Sequence, residues 1–391
     1  MRKTVVLALL FVLFGIYSVH ARFITQEEAR QFAQNWMHEK RGRQVNMKTG
    51  GAVFESAASD APYYELTFPQ GGWMILSADD LAYPVIAFSD TGMFTDQERP
   101  VQFDAWMKNV SEEISTAIRL KLRPLPEADA AWKRFNVRLQ EFSPQQRAES
   151  AVGPLLTTKW NQGTYYNAHC PVDSHGPGGH VWAGCVATAM AQLMKYHNYP
   201  SRGSGSHAYS HSVYGTLSAD FGATAYNWGA MPNSLSNHNA AVALLMYHAG
   251  VSVEMYYGYN GSGANISHYA VNALKTYFNY PDSLYHAFRS SYSAAAWLDL
   301  LRTELNKKRP VLYEGYNEAG TRGHAFVCDG YSGGDYFHFN WGWGGYADGY
   351  FYLNSLTPAG NNFSSDQGGI IGVSPGSASS SLLLFIPAII N

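Results

Sequence analysis

The sequence predicts an α+β protein in two parts. A small α+β domain spans residues 22–150, and a larger one spans 151–375, where a helix-borne cysteine precedes a histidine on an antiparallel sheet. Three observations predict this division. Residues 22–150 hold 15 Lys/Arg and 18 Asp/Glu, whereas residues 151–391 hold only 10 and 12, so the charged fraction falls nearly threefold near residue 150. An apolar stripe at helical spacing follows Cys185, and short apolar runs separated by Gly-rich turns follow residue 310. Surfaces so different in charge belong to separate domains.

Residues 1–21 stand apart from both. Met1-Arg2-Lys3 is a positive leader, Thr4 to Tyr17 is almost wholly apolar, and Ser18-Val19-His20-Ala21 ends in small residues. This is the pattern of a cleavable secretory signal cut after Ala21. The apolar core is short for a bilayer span, so no membrane span is expected once the signal is gone. The expected destination is outside the cell or in its envelope or periplasm.

In the first domain, Thr25 to Glu28 reads as a capping box before Ala29, Phe32, Ala33 and Trp36 at helical spacing. Tyr63 to Phe68 and Gly72 to Ser77 read as strands turning around residues 69–72, Val85 to Phe88 as a third, and Phe103 to Leu122 as a further helix. This stretch has no Cys and one His, His38, and nothing resembling a reaction centre. Glu141 to Val152 is polar and weakly patterned, an exposed linker.

In the second domain, Val186, Ala189, Met190, Leu193 and Met194 form the stripe of an amphipathic helix ended by Pro200. Cys185 falls in its first turn, where unpaired N–H groups and the helix dipole favour a thiolate. Pro310 to Tyr316, His324 to Tyr331 and Tyr336 to Trp341 read as strands. The last two form a hairpin about Gly333 and Gly334 that brings His324 near Trp343 and Phe326 near Trp341. Gly349 to Leu353 is a further strand, and Ala359 to Gly369 a flexible loop near the cleft. Residues 376–391, a Ser-rich stretch and an apolar run too short to span a bilayer, have no assigned role.

A helix-borne Cys185 with a strand-borne His324 lying 139 residues downstream is the arrangement of papain-like cysteine peptidases. The imidazole takes the thiol proton, and the thiolate attacks a peptide carbonyl to give an acyl-enzyme. The alternative is a buried structural cysteine and a hydrogen-bonded core histidine. Three blocks bear on that choice: Gly184 to Pro200 (GCVATAMAQLMKYHNYP), Gly323 to Gly330 (GHAFVCDG) and Asn340 to Gly345 (NWGWGG). They resemble the streptopain family of secreted bacterial cysteine peptidases. Tyr63 to Asp80 and the region of Gly92 resemble that family's inhibitory propeptide, so the resemblance runs from about residue 22 to about 375.

The resemblance implies Cys185 as nucleophile and His324 as general base. It also implies Gln162 as the oxyanion-hole amide, acting with the Cys185 N–H. Asn340 is expected to orient His324 by side chain or main chain, with Trp341 and Trp343 covering that contact. Gly263, Ala264 and Gly323 match substrate-subsite positions, where small residues let a peptide backbone approach; Ala264 stands where the family has serine. Residues 22–150 become an inhibitory prodomain removed by cleavage, and the partners are protein or peptide substrates and that prodomain.

The net charge of −3 makes no electrostatic case for nucleic acid. His169, Cys170, His175, His180 and Cys185 lack paired-Cys zinc spacing, so neither a metal nor another cofactor is expected. Cys328 alternates with His324 and Phe326 and reads as core packing, while Cys170 reads as an exposed thiol without a role. The competing functions are a catalytically silent papain-like binding or inhibitor homologue, whose mark would be loss of Cys185, His324 or Gln162, and another acyl-transfer enzyme on the same scaffold.

Overall fold

The capping box at Thr25 starts α1 (Gln26–Arg41): the Thr25 side chain accepts from the Glu28 N–H, and the Glu28 carboxylate accepts from the Thr25 N–H. Its apolar side, Phe32, Ala33 and Trp36, is buried against α3 (Pro126–Phe135), which the periodicity did not reveal, and against the sheet. The computed structural model describes residues 22–42, 62–92, 101–138, 141–144, 150–316, 323–333, 335–353 and 367–375. The signal segment, the middle of the linker and the 376–391 tail lie outside the described residues.

The strands β1 (Tyr63–Thr67), β2 (Trp73–Ser77) and β3 (Val85–Ser89), all three expected from the sequence, form an antiparallel meander buried on both faces. Helix α2 (Val101–Arg119) follows. Beyond residue 150 come β4 (Ala151–Val152), the helix α4 (Cys185–His197) that begins at the candidate cysteine, and the hairpin β5 (Ser206–His211)–β6 (Gly215–Asp220). Next are α5 (Ala240–Ser252), α6 (Val271–Phe278), β7 (Tyr285–Phe288) and α7 (Ala294–Asn306). The chain then returns as β8 (Val311–Tyr316), β9 (Gly323–Ser332), β10 (Tyr336–Asn340), β11 (Gly349–Tyr352) and β12 (Gly368–Ile371). Gly368 and Gly369, expected in a loop, are strand residues paired with β7 and β8.

The change in charge near residue 150 does not interrupt the sheet. β3 pairs with β11 through Tyr350↔Phe88 and Phe351↔Ala87, giving one path β1-β2-β3-β11-β10-β9-β8-β12-β7, with β4 beside β9. Backbone groups at a strand edge need partners, and each region supplies them to the other. The hairpin β9–β10 has the anticipated register, restored by a bulge between His338 and Phe339. It brings Phe326 to 4.4 Å from Trp341 and His324 to 4.8 Å from Trp343, centroid to centroid.

The two faces of this sheet carry different cores. On one, α4 and α5 pack on Leu312, Ala325 and Val327. On the other, Phe103, Met107, Val110 and Ile114 of α2 share a cluster with Trp297, Phe326, Trp341, Trp343 and Phe351. α4 is not amphipathic in place: every residue from Val186 to Met194 is buried. Its two polar members are satisfied, Thr188 through its hydroxyl to the Gly184 carbonyl at 3.0 Å and Gln192 through the contacts below. No helix among the described residues is long and apolar enough to cross a membrane.

Candidate active site

Cys185 is the first residue of α4, after Gly184 at φ 92. A Cβ at Gly184 would lie 2.7 Å from the Met255 sulfur, so glycine answers both the backbone and the space. Cys185 is partly exposed, whereas Cys170 and Cys328 are buried, so Cys170 is a core thiol and not the exposed one expected. Its Cβ sits among the apolar groups around α4, and burial pushes its pKa up to about 12. Burial pushes Cys328 well above the ordinary thiol range too.

The Cys185 thiol is also raised, first by burial. The N–H groups of Ala325, Val186 and Cys185 itself face the sulfur and pull it back down. The helix start thus supplies the predicted donors, but burial outweighs them in this precursor. Ala325 follows His324 on β9, so the sulfur lies against the strand that carries His324.

His324 is buried, and burial pushes its pKa down to about 4. Its Nε2–H donates to the Trp341 carbonyl at 2.9 Å, which fixes the neutral tautomer, and Nδ1 is buried without a partner among the described residues. The His324 imidazole is therefore oriented by the main chain of Trp341, not by Asn340. The Asn340 side chain is turned away because it is already committed. Its Nδ2 donates to the Thr158 carbonyl at 2.7 Å, and its Oδ1 accepts from Gln192 Nε2 at 2.9 Å and the Gly342 N–H at 3.1 Å.

Gln162 is buried beside this centre, its carbonyl accepting from the Ala183 N–H at 2.9 Å, two residues before the cysteine. Its amide Nε2 makes only a long 3.5 Å contact to the Gly342 carbonyl, which a better acceptor can replace. The segment 258–264 is brought alongside by Ser262, which donates to the Trp182 carbonyl at 2.6 Å. Gly263 faces open space, Ala264 packs at the edge of the α4 core, and Gly323 is exposed at the start of β9.

Trp341 and Trp343, expected from the resemblance to bind substrate as well as to cover the His324 contact, are packed inside the fold. Trp341 and Trp343 stack 5.1 Å apart with planes 8° from parallel, and both are buried. Trp341 packs among Phe326, Phe339 and Phe351 and forms a platform under the His324 ring. Trp343 meets Phe103 of α2 edge-on at 6.4 Å. Among the described residues no cluster of His, Cys, Asp and Glu could hold a metal. Sequence reasoning missed Gln192, Thr158 and Asp348. Buried polar residues inside apolar runs were the available signal for the first, and the Asp348 carboxylate accepts from the Trp341 N–H at 3.0 Å.

Known proteins align with both regions. The profile of the Peptidase C10 family matches residues 160–351, and that of the Spi protease inhibitor matches residues 21–114. The chain is 33% identical to the thiol protease/hemagglutinin PrtT of Porphyromonas gingivalis over 384 residues, covering 90% of this chain but only 42% of PrtT. It is 31% identical to streptopain of Streptococcus pyogenes over 346 residues, covering 81% of this chain and 82% of streptopain. The prointerpain A fragment of Prevotella intermedia superposes with TM-score 0.66 at 32% identity, over 82% of this chain and 98% of that one. Active interpain A, a cysteine protease from the same organism, superposes with TM-score 0.52 at 37% identity, over 60% of this chain and all of that one. With an inhibitor-type segment and a papain-like centre in one chain, and relatives matched across both, the protein belongs to the streptopain (Peptidase C10) family of cysteine peptidases.

Proposed function

We propose that this protein is a secreted cysteine endopeptidase made as a latent precursor, in which Cys185 attacks the peptide carbonyl and His324 is the general base. The observation that carries this reading is the convergence at the start of α4. There the Cys185 sulfur lies against the β9 strand that carries His324, with Gln162 beside it and the imidazole held by a main-chain carbonyl. His324 Nδ1 takes the thiol proton; the thiolate attacks; the Cys185 N–H and the Gln162 amide receive the oxyanion. The imidazolium then protonates the leaving amine, and water, activated by the same base, hydrolyses the acyl-enzyme. Gly263, Ala264 and Gly323 leave room for the substrate backbone.

Residues 22–150 act as the intramolecular inhibitor. Support comes from the shared sheet, from Phe103 against Trp343, and from the inhibitor profile over residues 21–114. In this state the thiol is raised and the imidazole lowered, so both groups are held neutral. Cleavage in the linker from residue 141, expected to run to 152 but ended by β4 at Ala151–Val152, where Val152 is buried, releases the enzyme, and the leader over residues 1–21 directs export. Expression of the full chain tests this directly. The wild-type precursor should convert to a fragment of about the last 240 residues as peptidase activity appears, the count following from a cut near residue 150. The Cys185→Ala precursor should persist uncut until active enzyme is added. Conversion of Cys185→Ala at the wild-type rate in isolation would remove Cys185 from the reaction.

A further inference from the structure

Gln192 lies on α4 seven residues, two turns, after Cys185, and its side chain is fully buried. A buried amide there requires partners for both its ends. Its Oε1 accepts from the Thr158 hydroxyl at 2.8 Å and faces the Trp160 N–H at 3.4 Å. Its Nε2 donates to Asn340 Oδ1 at 2.9 Å. The assignment of these amide ends is forced by the main chain. The Gly342 N–H can only donate, so it faces Asn340 Oδ1; the Thr158 carbonyl can only accept, so it faces Asn340 Nδ2. Gln192 must then offer its NH₂ to Asn340 and its oxygen to Thr158 and Trp160.

The peptide between Trp341 and Gly342 connects this network to the base. A trans peptide is planar, so the direction of its N–H sets the direction of its C=O. Asn340 Oδ1 holds the Gly342 N–H, and the carbonyl of the same peptide therefore points at His324 Nε2, where it accepts at 2.9 Å. Gln192 in turn holds Asn340. Through Thr158 and Trp160 it also grips the segment that leads into Gln162. One side chain on the nucleophile helix is thus tied to the irregular segment before the oxyanion amide and to the loop behind the base.

We infer that Gln192 is a positioning residue of the reaction: it sets His324 and Gln162 relative to Cys185 without touching substrate. This rests on the peptidase reading. Loss of its amide removes one of the three hydrogen bonds that fix Asn340 and lets its side chain shift, and a shift of about 1 Å at a catalytic group is enough to lower turnover by about 10²-fold. The imidazole, no longer held by a fixed carbonyl, stabilises the thiolate less, so the thiolate forms only at higher pH.

The test uses full-length precursor carrying Gln192→Met, which is close in length and shape, cut by immobilised wild-type enzyme so that no free wild-type activity remains. The expected result is a kcat lowered by about 10²-fold with KM within about twofold, scaled from the misplacement effect. The acid limb of Cys185 alkylation by iodoacetamide should also move to higher pH. Gln192→Glu keeps both acceptor contacts and replaces only the donor to Asn340, so it should show the same pattern if the Met variant fails to fold. A variant with wild-type kcat and an unmoved alkylation profile, or one that loses melting temperature and kcat while the profile stays in place, overturns the inference and leaves Gln192 a structural residue. Wild-type enzyme run alongside separates the two claims. If it neither cleaves peptide nor alkylates rapidly at Cys185, the peptidase reading falls and this inference with it.

Discussion

Phe103→Ala should unlatch the precursor before any bond is cut. Phe103 is fully buried at the start of α2, edge-on to Trp343 at 6.4 Å and to Tyr346 at 6.1 Å, and Trp343 stacks on His324. Truncating a buried Phe to Ala removes about 3–5 kcal/mol of packing. Phe103 makes ring contacts with Trp343 and Tyr346, so a large share of that loss falls on the docked state of α2. At about 1.4 kcal/mol per tenfold, even the lower figure raises the undocked population by about 10²-fold. If undocking gates the cleft, Cys185 in intact precursor should alkylate about 10²-fold faster, up to the rate of the mature enzyme. The assay is timed labelling with a small epoxide, mapping of the adduct by mass spectrometry, and a gel showing that the precursor is uncut. Cys328, fully buried in the shared core, reports on general unfolding and should stay unlabelled. Labelling of Cys185 within twofold of the wild-type precursor would refute the view that α2 holds the site shut.

Two further outcomes follow from the site. Gln162→Ala should lower kcat of the mature enzyme by about 10²–10³-fold with little change in KM, as for other oxyanion donors; near-normal turnover in a steady-state peptide assay would remove it from the mechanism. The buried His324 gives the precursor an acid-labile contribution. Its folded pKa of about 4 lies below the ordinary 6.5, so this stability is complete above 6.5 and is lost as pH falls toward 4. In a Cys185→Ala background, which prevents self-cleavage, urea unfolding should show wild-type His324 losing on the order of 2 kcal/mol more than His324→Gln between pH 7 and pH 5. Equal losses in the two would show that His324 is not buried neutral.

The elements that local pattern governs were legible. The capping box, the β1–β2 turn, the Cys185 helix and the β9–β10 hairpin each rest on a few adjacent residues whose chemistry admits one local structure. What sequence did not show depends on partners far apart in the chain. The joining of β3 to β11 needs residues 87 and 351 side by side, and neither strand carries a mark of the other. The same holds for the orientation of the base. Asn340 is the residue type expected to hold an imidazole, but its amide is consumed by Thr158, Gln192 and Gly342, so the carbonyl of the next residue does that work. Cys170 was misread for a related reason: its Gly- and His-rich neighbourhood looks exposed, while Tyr257, 87 residues away, closes over it.

The geometry also separates two things that latency could withhold. His324 already holds its Trp341 contact in the precursor, so orientation of the base is not what awaits cleavage. What is missing is an environment in which charge is tolerated: the thiol is raised and the imidazole lowered by the same cause, burial. An ion pair forms by moving one proton from sulfur to Nδ1, and desolvation opposes both products of that transfer. Undocking α2 would admit water around Trp343 and ease the shift on His324, which stacks on that ring, while Cys185 packs in the cluster on the opposite face of the sheet. Full release also requires that the β3–β11 pairing be broken, which cleavage of the linker favours. Latency of this kind also makes Phe103 and Gln192 separable in effect, since one governs whether the proton can move and the other where it goes.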